Sequence, residues 1–518
     1  MKRRNFIRSV GAAASVPMIL NGMKLSAMPS SLASLINNES DKVLVLIQLN
    51  GGNDGLNMII PRDRYDNLAV VRSNILLPES SILELDDHTG VHPAMEGVQE
   101  LFKEGQLSVL QSAGYPNQNR SHFRSMDIWK SGSPAGEVWN DGWLGRYLET
   151  LHPSFPENYP NTAYPDPFAI TMGNVVSETC QGSAGNFSLT LTDPFSLAPL
   201  TEGAPGEVPE TPYGDELTFL RTTIKQANKY GERITAVAEV GTNVMEYPDG
   251  NRLAEQLKNV ALLISGGLQT KIYIVNIGGF DTHANQVVEG DPTTGEHAQL
   301  LENLAEAMSV FQQDLNALGL SERVVGMTFS EFGRRIKSND SFGTDHGTAS
   351  PLMVFGSCVN AKVFGESPDI PLDVGKSEGL PMQNDFRDIY GSILMDWFEV
   401  KEQDVKTLLH EDFQHIPVIQ SCSVTSTGPD LETDLPIELS NFPNPFRNWT
   451  TLQFKTENEW AKLAVYNALG AEIQVLMNKQ LPAGEHQVRF DAGNLPPGSY
   501  YYRLQLNGRQ KTNRMVKL

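Results

Sequence analysis

The sequence predicts an α/β core built on a mostly parallel sheet with helices on both faces, followed by a small C-terminal β-sandwich. Two patterns carry this prediction. Between about Asp41 and Gln420, continuous apolar strand-like runs alternate with segments of helical period, as layered α/β domains require. From Pro436 to Leu518 the runs become short and alternating and are separated by turn residues, as in a sandwich. The charge changes with the pattern: this tail is 10 − 6 = +4, the whole chain 40 − 62 = −22, and the remainder therefore −26. At 518 residues the chain exceeds one compact core. The expected parts are an export signal over 1–29, the α/β domain over 41–420, a linker over 421–435 and the sandwich over 436–518.

The elements follow in order. The N-terminus sets a basic head containing Arg3-Arg4 and Arg8 before a short apolar stretch, the pattern of an export signal. The adjacent arginines followed by Phe6-Ile7 resemble the twin-arginine type, with a plain secretory signal as the alternative. Strands buried on both faces are expected at Val43–Ile47, Leu107–Leu110, Ile272–Ile277, Val324–Phe329 and Leu352–Phe355. Helices are expected at Ala94–Phe102, His122–Trp129, Leu253–Ile264 and Ala298–Leu318, the last with Leu301, Leu304, Met308, Phe311 and Leu315 on one stripe. The Gly-, Pro-, Ser- and Thr-rich stretch from Gln181 to Asp215 is expected to be a surface insertion. The polar, aperiodic Ser421–Leu435 suits a linker.

Composition excludes several classes. A surface this acidic repels polyphosphate backbones, so no nucleic-acid partner is expected. Three scattered cysteines exclude a disulfide scaffold and thiolate-rich metal sites. No apolar stretch reaches membrane-spanning length, so no transmembrane segment is expected in the mature protein.

The chemistry is expected just after the strands, because open α/β sheets bind ligands outside the carboxyl ends of their strands. Asn50-Gly51-Gly52-Asn53-Asp54-Gly55 follows the first run, Asn119-Arg120-Ser121-His122 the second, and Gly279-Phe280-Asp281-Thr282-His283 the third. Ser330-Glu331-Phe332-Gly333-Arg334 and then Gly343-Thr344-Asp345-His346-Gly347 follow the fourth. Carboxylates and imidazoles without thiolates suit zinc, manganese, magnesium or iron, as one or two ions. Asp281 and His283 are the candidate ligands of one ion; Asp345 and His346, with Asp54, those of the other. Ser121 at a helix start is the candidate nucleophile, although read alone it also fits an N-cap. Arg120 and Arg334 are candidates for holding substrate oxygens, with surface ion pairing as the alternative. Glu331 is grouped with the catalytic residues, with local pairing to Arg334 or Arg335 as its alternative. His92 is expected to be buried or capping, and His297, His410 and His415 stay outside the site.

Two resemblances follow from these motifs. The Phe442-Pro443-Asn444-Pro445-Phe446 opening, Leu495-Pro496-Pro497-Gly498-Ser499-Tyr500 and the terminal 511–518 resemble the type IX secretion C-terminal sorting domain. This implies export and secretion machinery as partners and a cell-surface or secreted location, with a carbohydrate-binding sandwich as the alternative. The segments after the strands, together with His92-Pro93-Ala94, are similar to the bacterial family called domain of unknown function 1501. That family looks like a branch of the alkaline phosphatase-like superfamily, whose members hold metals at sheet ends and use a Ser, Thr or modified Cys nucleophile. The Asp281/His283 spacing is tighter than that superfamily's Asp-x-x-x-His, and no third histidine follows His346 in its pattern. No cysteine sits in the segment a modified-cysteine sulfatase requires.

The function expected is an exported metal-dependent hydrolase of phosphate or related esters, acting on a small-molecule or glycan-linked ester with Ser121 as nucleophile. A sugar-directed hydrolase or lyase shares the same signature. The alternative is a non-catalytic cell-surface binding or assembly protein with a degenerate metal site.

Overall fold

Eight consecutive residues, Val43–Asn50, form the strand (β1) on which the main sheet is organised. The computed structural model describes residues 41–201, 208–420 and 439–518 apart from positions 457, 467–471, 494 and 507–508, together with a short pairing of Ile19–Leu20 with Met23–Lys24. Arg3-Arg4 of the signal and the 421–435 linker lie outside the described residues. The chain divides into two compact units, 1–423 and 424–518.

In the first unit nine strands make one sheet: β1, β2 (Leu107–Gly114), β3 (Ala169–Met172), β4 (Ser188–Leu191), β5 (Ile272–Gly278), β6 (Val324–Ser330), β7 (Ser350–Phe355), β8 (Val363–Phe364) and β9 (Asn384–Asp385). Their order is β8-β2-β7-β6-β1-β5-β3-β4, with β9 also on β2. β1 lies between β5 and β6, parallel to both, and only β7 runs against its neighbours. The carboxyl ends of β1, β2, β5 and β6 therefore share one edge of the sheet.

Both faces of β1 are covered, as its unbroken apolar sequence requires. Val43, Val45, Ile47 and Leu49 pack with the helices Glu96–Lys103, Arg252–Ser265 and Glu296–Ala317. Leu44 and Leu46 pack on the other face with His122–Ser131, Trp143–Leu151 and Phe386–Asp396. The expected strands and helices all form, within a few residues of their expected ends. The 181–215 stretch departs from expectation: Ser188–Leu191 pairs parallel with β3 and becomes the edge strand of the main sheet. Its four residues, buried only at the two ends and with Leu191 in the core, gave too short a signal against the surrounding turn residues. Cys180 is a buried free thiol, while Cys358 is disulfide-bonded.

The second unit is the expected sandwich. One antiparallel sheet joins Leu439–Phe442, Trp449–Thr456 and Gly484–Asp491, and the other joins Glu472–Leu481, Glu459–Tyr466, Gly498–Leu506 and Arg509–Lys517. Leu452, Phe454, Leu463, Phe490 and Leu504 fill the space between them. Tyr500 and Tyr502 belong to this core and so are not available as sugar platforms, whereas Trp449 and Trp460 stay exposed.

Candidate metal centre

Four loops at the carboxyl edge of the sheet meet, and Arg334 joins three of them. Its guanidinium is fully buried. Nε donates to the Gly52 carbonyl at 2.5 Å, Nη1 to Thr344 at 2.8 Å, and Nη2 to the Phe280 carbonyl at 2.8 Å, to the Gly51 carbonyl, and to Asp281 Oδ1 at 2.7 Å. Close approach of these loops depends on glycine. Gly51 has φ +121°, and a Cβ there would lie 2.3 Å from the Asp281 nitrogen. Gly52 has φ +77° and lies flat against the Phe332 ring, which in turn packs under the rings of His122 and His346. Arg334 was expected to hold substrate oxygens; the structure instead closes it beneath Asp281, with its donors committed to main-chain carbonyls. It positions the site from below.

Asp281 Oδ1 is the point on which three histidines converge. His346 Nε2 lies 3.1 Å from it, His283 Nε2 3.2 Å and His122 Nε2 3.6 Å. His283 Nε2 is also 2.9 Å from His346 Nε2. The opposite nitrogen of each ring faces a group that can only accept. His122 Nδ1 is 2.9 Å from Glu331 Oε1, His283 Nδ1 3.0 Å from Asp345 Oδ1, and His346 Nδ1 3.0 Å from the Arg120 carbonyl. Each Nδ1 must therefore carry a proton, and in the neutral ring each Nε2 presents a lone pair. Lone pairs facing one another at 2.9 Å across a carboxylate oxygen repel unless a cation lies among them. The arrangement also matches how metal-binding histidines are oriented, by a carboxylate or carbonyl behind the ring. The donor set of His122, Asp281, His346 and the adjacent His283 thus fits a divalent cation.

Electrostatics agree with that geometry. Burial raises the pKa of Asp281, but the hydrogen bond and the charge of Arg334 outweigh it, and the carboxyl stays below its usual range. Burial depresses His346, and the nearby positive charge of Arg334 adds to this against the pull of Asp281, which favours the neutral ring. Asp281 and His283 are about half exposed, so the cluster opens to solvent.

The remaining candidates are placed as follows. Ser121 caps the helix His122–Ser131 by position, but its hydroxyl makes no capping bond and its side chain is exposed. It stands between Arg120, whose carbonyl orients His346, and His122. Glu331 is buried and accepts from the Gly51 nitrogen at 2.8 Å as well as facing His122; it does not pair with Arg334 or Arg335. Arg120 donates to the Ser377 carbonyl at 2.6 Å. Asp345, expected as a ligand, instead stands behind His283 and pairs with Arg335 at 2.9 Å. Asp54 is not brought to the cluster. It is 1% exposed, bound by Arg72 Nη1 at 2.9 and 3.1 Å and by Gln286 Nε2 at 2.6 Å. Burial would raise its pKa, but the charge of Arg72 wins and holds it low. So enclosed, the carboxylate serves as the buried counter-ion of Arg72. His92 is buried and its Nδ1 accepts from the Ala94 nitrogen, as expected, and His297 is buried against Asn53.

Sequence reasoning missed His122 as a candidate ligand. It stood directly beside Ser121 in the quoted motif, but nothing in the sequence brings a helix start after β2 next to loops after β5 and β6. Arg72 was missed for the same reason, and Arg335 was read only as a local partner for Glu331.

Comparisons with known proteins agree with the motifs. Residues 250–395 match the family described as Protein of unknown function (DUF1501), and residues 440–518 match the Secretion system C-terminal sorting domain. No curated protein matches the chain. Among solved structures, latent PorU from Porphyromonas gingivalis is matched at 17% identity over 17% of this chain and 10% of its own length, with a TM-score of 0.15. A Bacteroides thetaiotaomicron protein described with the metabolism of multiple glycosaminoglycans is matched at 9% identity over 88% of this chain and 90% of its own, with a TM-score of 0.34. A Vibrio parahaemolyticus protein of the alkaline phosphatase superfamily is matched at 9% identity over 89% and 92%, with a TM-score of 0.31. Scores this low carry no argument, and the fold rests on the sheet order above. No helix among the described residues is long and apolar enough to cross a membrane. The central unit thus carries a segment of the family of unknown function 1501, and the C-terminal unit is a type IX secretion sorting domain that directs the chain to the cell surface or the medium.

Proposed function

We propose that this chain is an exported metal-dependent hydrolase of phosphate or related esters, working at the His122–Asp281–His283–His346 cluster. One observation carries the reading: three Nε2 atoms converge on one carboxylate oxygen, each with its Nδ1 held by an acceptor. A divalent cation held there would supply Lewis-acid stabilisation of charge developing on an ester oxygen. Glu331 and Asp345 would fix the ring orientations of His122 and His283, and Arg334 would hold Asp281. Ser121, exposed at the N-terminus of its helix, would be the group that attacks an ester centre. Arg120 would receive the negative charge of the bound ester. Asp54 has no part in this scheme.

The test combines metal analysis with turnover on the full chain. The wild type should bind metal stoichiometrically and hydrolyse aryl esters of phosphate or related acids. His122→Ala/His346→Ala should lose both properties, and Ser121→Ala should keep the metal and lose turnover by about a hundredfold or more. Full activity in Ser121→Ala would remove the nucleophile; a folded wild type without metal would remove the whole reading.

One observation favours the alternative of a cell-surface binding or assembly protein. If His283 joined His122, Asp281 and His346 on one ion, the four protein donors would leave a four-coordinate ion no open position for substrate. Stoichiometric metal with no turnover on any ester would select that alternative.

A further inference from the structure

The surroundings of the cluster bear on which ester it takes, and the inference rests on the metal reading above. Arg334 and Arg335 are consecutive on the strand Arg334–Ser338, so they point to opposite faces. Arg334 goes under Asp281, while Arg335 emerges at the rim, 2.9 Å from Asp345. Arg120 reaches the same rim from the segment after β2. The two guanidiniums approach the same short stretch of chain, Arg120 Nη1 at 2.6 Å from the Ser377 carbonyl and Arg335 Nη1 at 3.5 Å from that of Lys376. Arg335 Nε is buried without a hydrogen-bond partner. Arg120 has no carboxylate partner among the described residues. Its guanidinium donates to the Ser377 carbonyl rather than to a carboxylate, so it sits at the rim as an uncompensated cation.

The formal charges then decide between ligands. Asp281, Glu331 and Asp345 contribute three negative charges, and Arg120, Arg334 and Arg335 three positive ones, a sum of 3 − 3 = 0. A divalent cation in the cluster brings the loaded site to +2. In a chain of net charge −22, this is a local positive site with one rim arginine unpaired.

We propose that the loaded site selects a doubly charged tetrahedral oxyanion, a phosphate monoester, over the singly charged sulfate monoester or phosphate diester, with Arg120 and Arg335 setting that preference. The same tetrahedral shape comes with either charge, so shape alone does not separate these ligands.

Phenylphosphonate and benzenesulfonate test this directly, because they share a shape, lack a scissile ester and at mildly alkaline pH carry two charges and one. Calorimetry on the metal-loaded full chain should find the phosphonate bound about tenfold or more tighter, a gap of about 1.4 kcal/mol. Arg335→Gln and Arg120→Gln should each narrow that ratio severalfold while metal content, measured in parallel, stays stoichiometric. Arg335→Lys should restore most of it. Equal binding of the two probes by metal-loaded wild type overturns the dianion assignment and leaves the metal reading standing. Unchanged ratios in both arginine variants overturn the role of the clamp. A folded wild type that takes up no metal overturns the reading beneath, and the assignment with it.

Discussion

Asp54 and Arg72 form an ion pair with side chains 1% and 0% exposed, and Arg72 also donates to the carbonyls of Arg335 and Ile336. Removing one partner of such a pair leaves a buried, uncompensated charge, which typically costs about 3–5 kcal/mol. Asp54→Ala is therefore expected to lower unfolding stability by about that much in urea titrations, while the folded fraction still binds metal stoichiometrically. Loss of metal at unchanged stability would instead restore Asp54 as a ligand. Glu331 has the opposite profile. Its carboxylate orients His122 from behind, and removal of such partners usually weakens metal affinity 10–100-fold, roughly. Glu331→Gln retains an acceptor for the Gly51 nitrogen, so metal affinity should fall within about that range with little change in stability. At this scale the sequence offered the right residue types but could not rank them, because Asp54 and Asp281 look alike until their neighbours are known.

Between elements, a second buried carboxylate has a task unrelated to the site. Asp314, on the helix Glu296–Ala317, accepts from the Val244 nitrogen at 2.7 Å, the Met245 nitrogen at 3.0 Å, Asn243 Nδ2 at 2.9 Å and the Tyr247 hydroxyl at 3.0 Å. It thereby pins the loop that joins the helices Pro212–Val240 and Arg252–Ser265. Hydrogen bonds to a charged acceptor contribute about 1.5–3 kcal/mol each and are not additive. Asp314→Ala should cost about 3 kcal/mol or more, and the Val244 and Met245 amides should lose protection in hydrogen exchange. Retained protection would mean that the loop is held by packing alone. Elements themselves were legible in the sequence: the β-branched and Leu runs gave strands, and the stripe from Leu301 to Leu315 gave a helix buried along that face. Ser188–Leu191 was not legible, because an edge strand of four residues with two half-buried positions has almost no periodic signal.

Over the whole molecule, each of the two units has hydrophobic packing of its own, which predicts two unfolding events. Calorimetry of the full chain should resolve two transitions, and a chain ending at residue 423 should keep one of them unchanged; a single transition lost on truncation would refute independent folding. The first unit should also weaken in acid. Burial depresses His92 to about 3 and His152 to about 4, against an ordinary value of 6.5, with a smaller push from His297 and Lys271 respectively. The unfolded chain then binds protons that the native state refuses. Stability from these residues is complete above about pH 6.5 and falls as the pH drops towards 4, by up to about 1.4 kcal/mol per unit for each. His152 stacks on Phe168 at 3.9 Å, so His152→Phe should preserve packing and flatten part of the slope in pH-dependent urea titrations. An unchanged slope would assign the acid sensitivity to other groups.

The sequence by itself determined the layered α/β architecture, the sandwich tail and the edge of the sheet where reactive residues gather. Each of these follows from local periodicity and from glycines adjoining strands, which are properties of neighbouring residues. Only the tertiary structure decided which of those residues face one another. His122 after β2, Asp281 and His283 after β5, and His346 beyond β6 are far apart in the chain and meet because the strands that precede them end together. The same packing took Asp54 inward to Arg72 and turned Arg334 beneath Asp281. Whether a carboxylate is a ligand or a buried counter-ion depends on the nearest charge in space, and a one-dimensional spacing does not contain it.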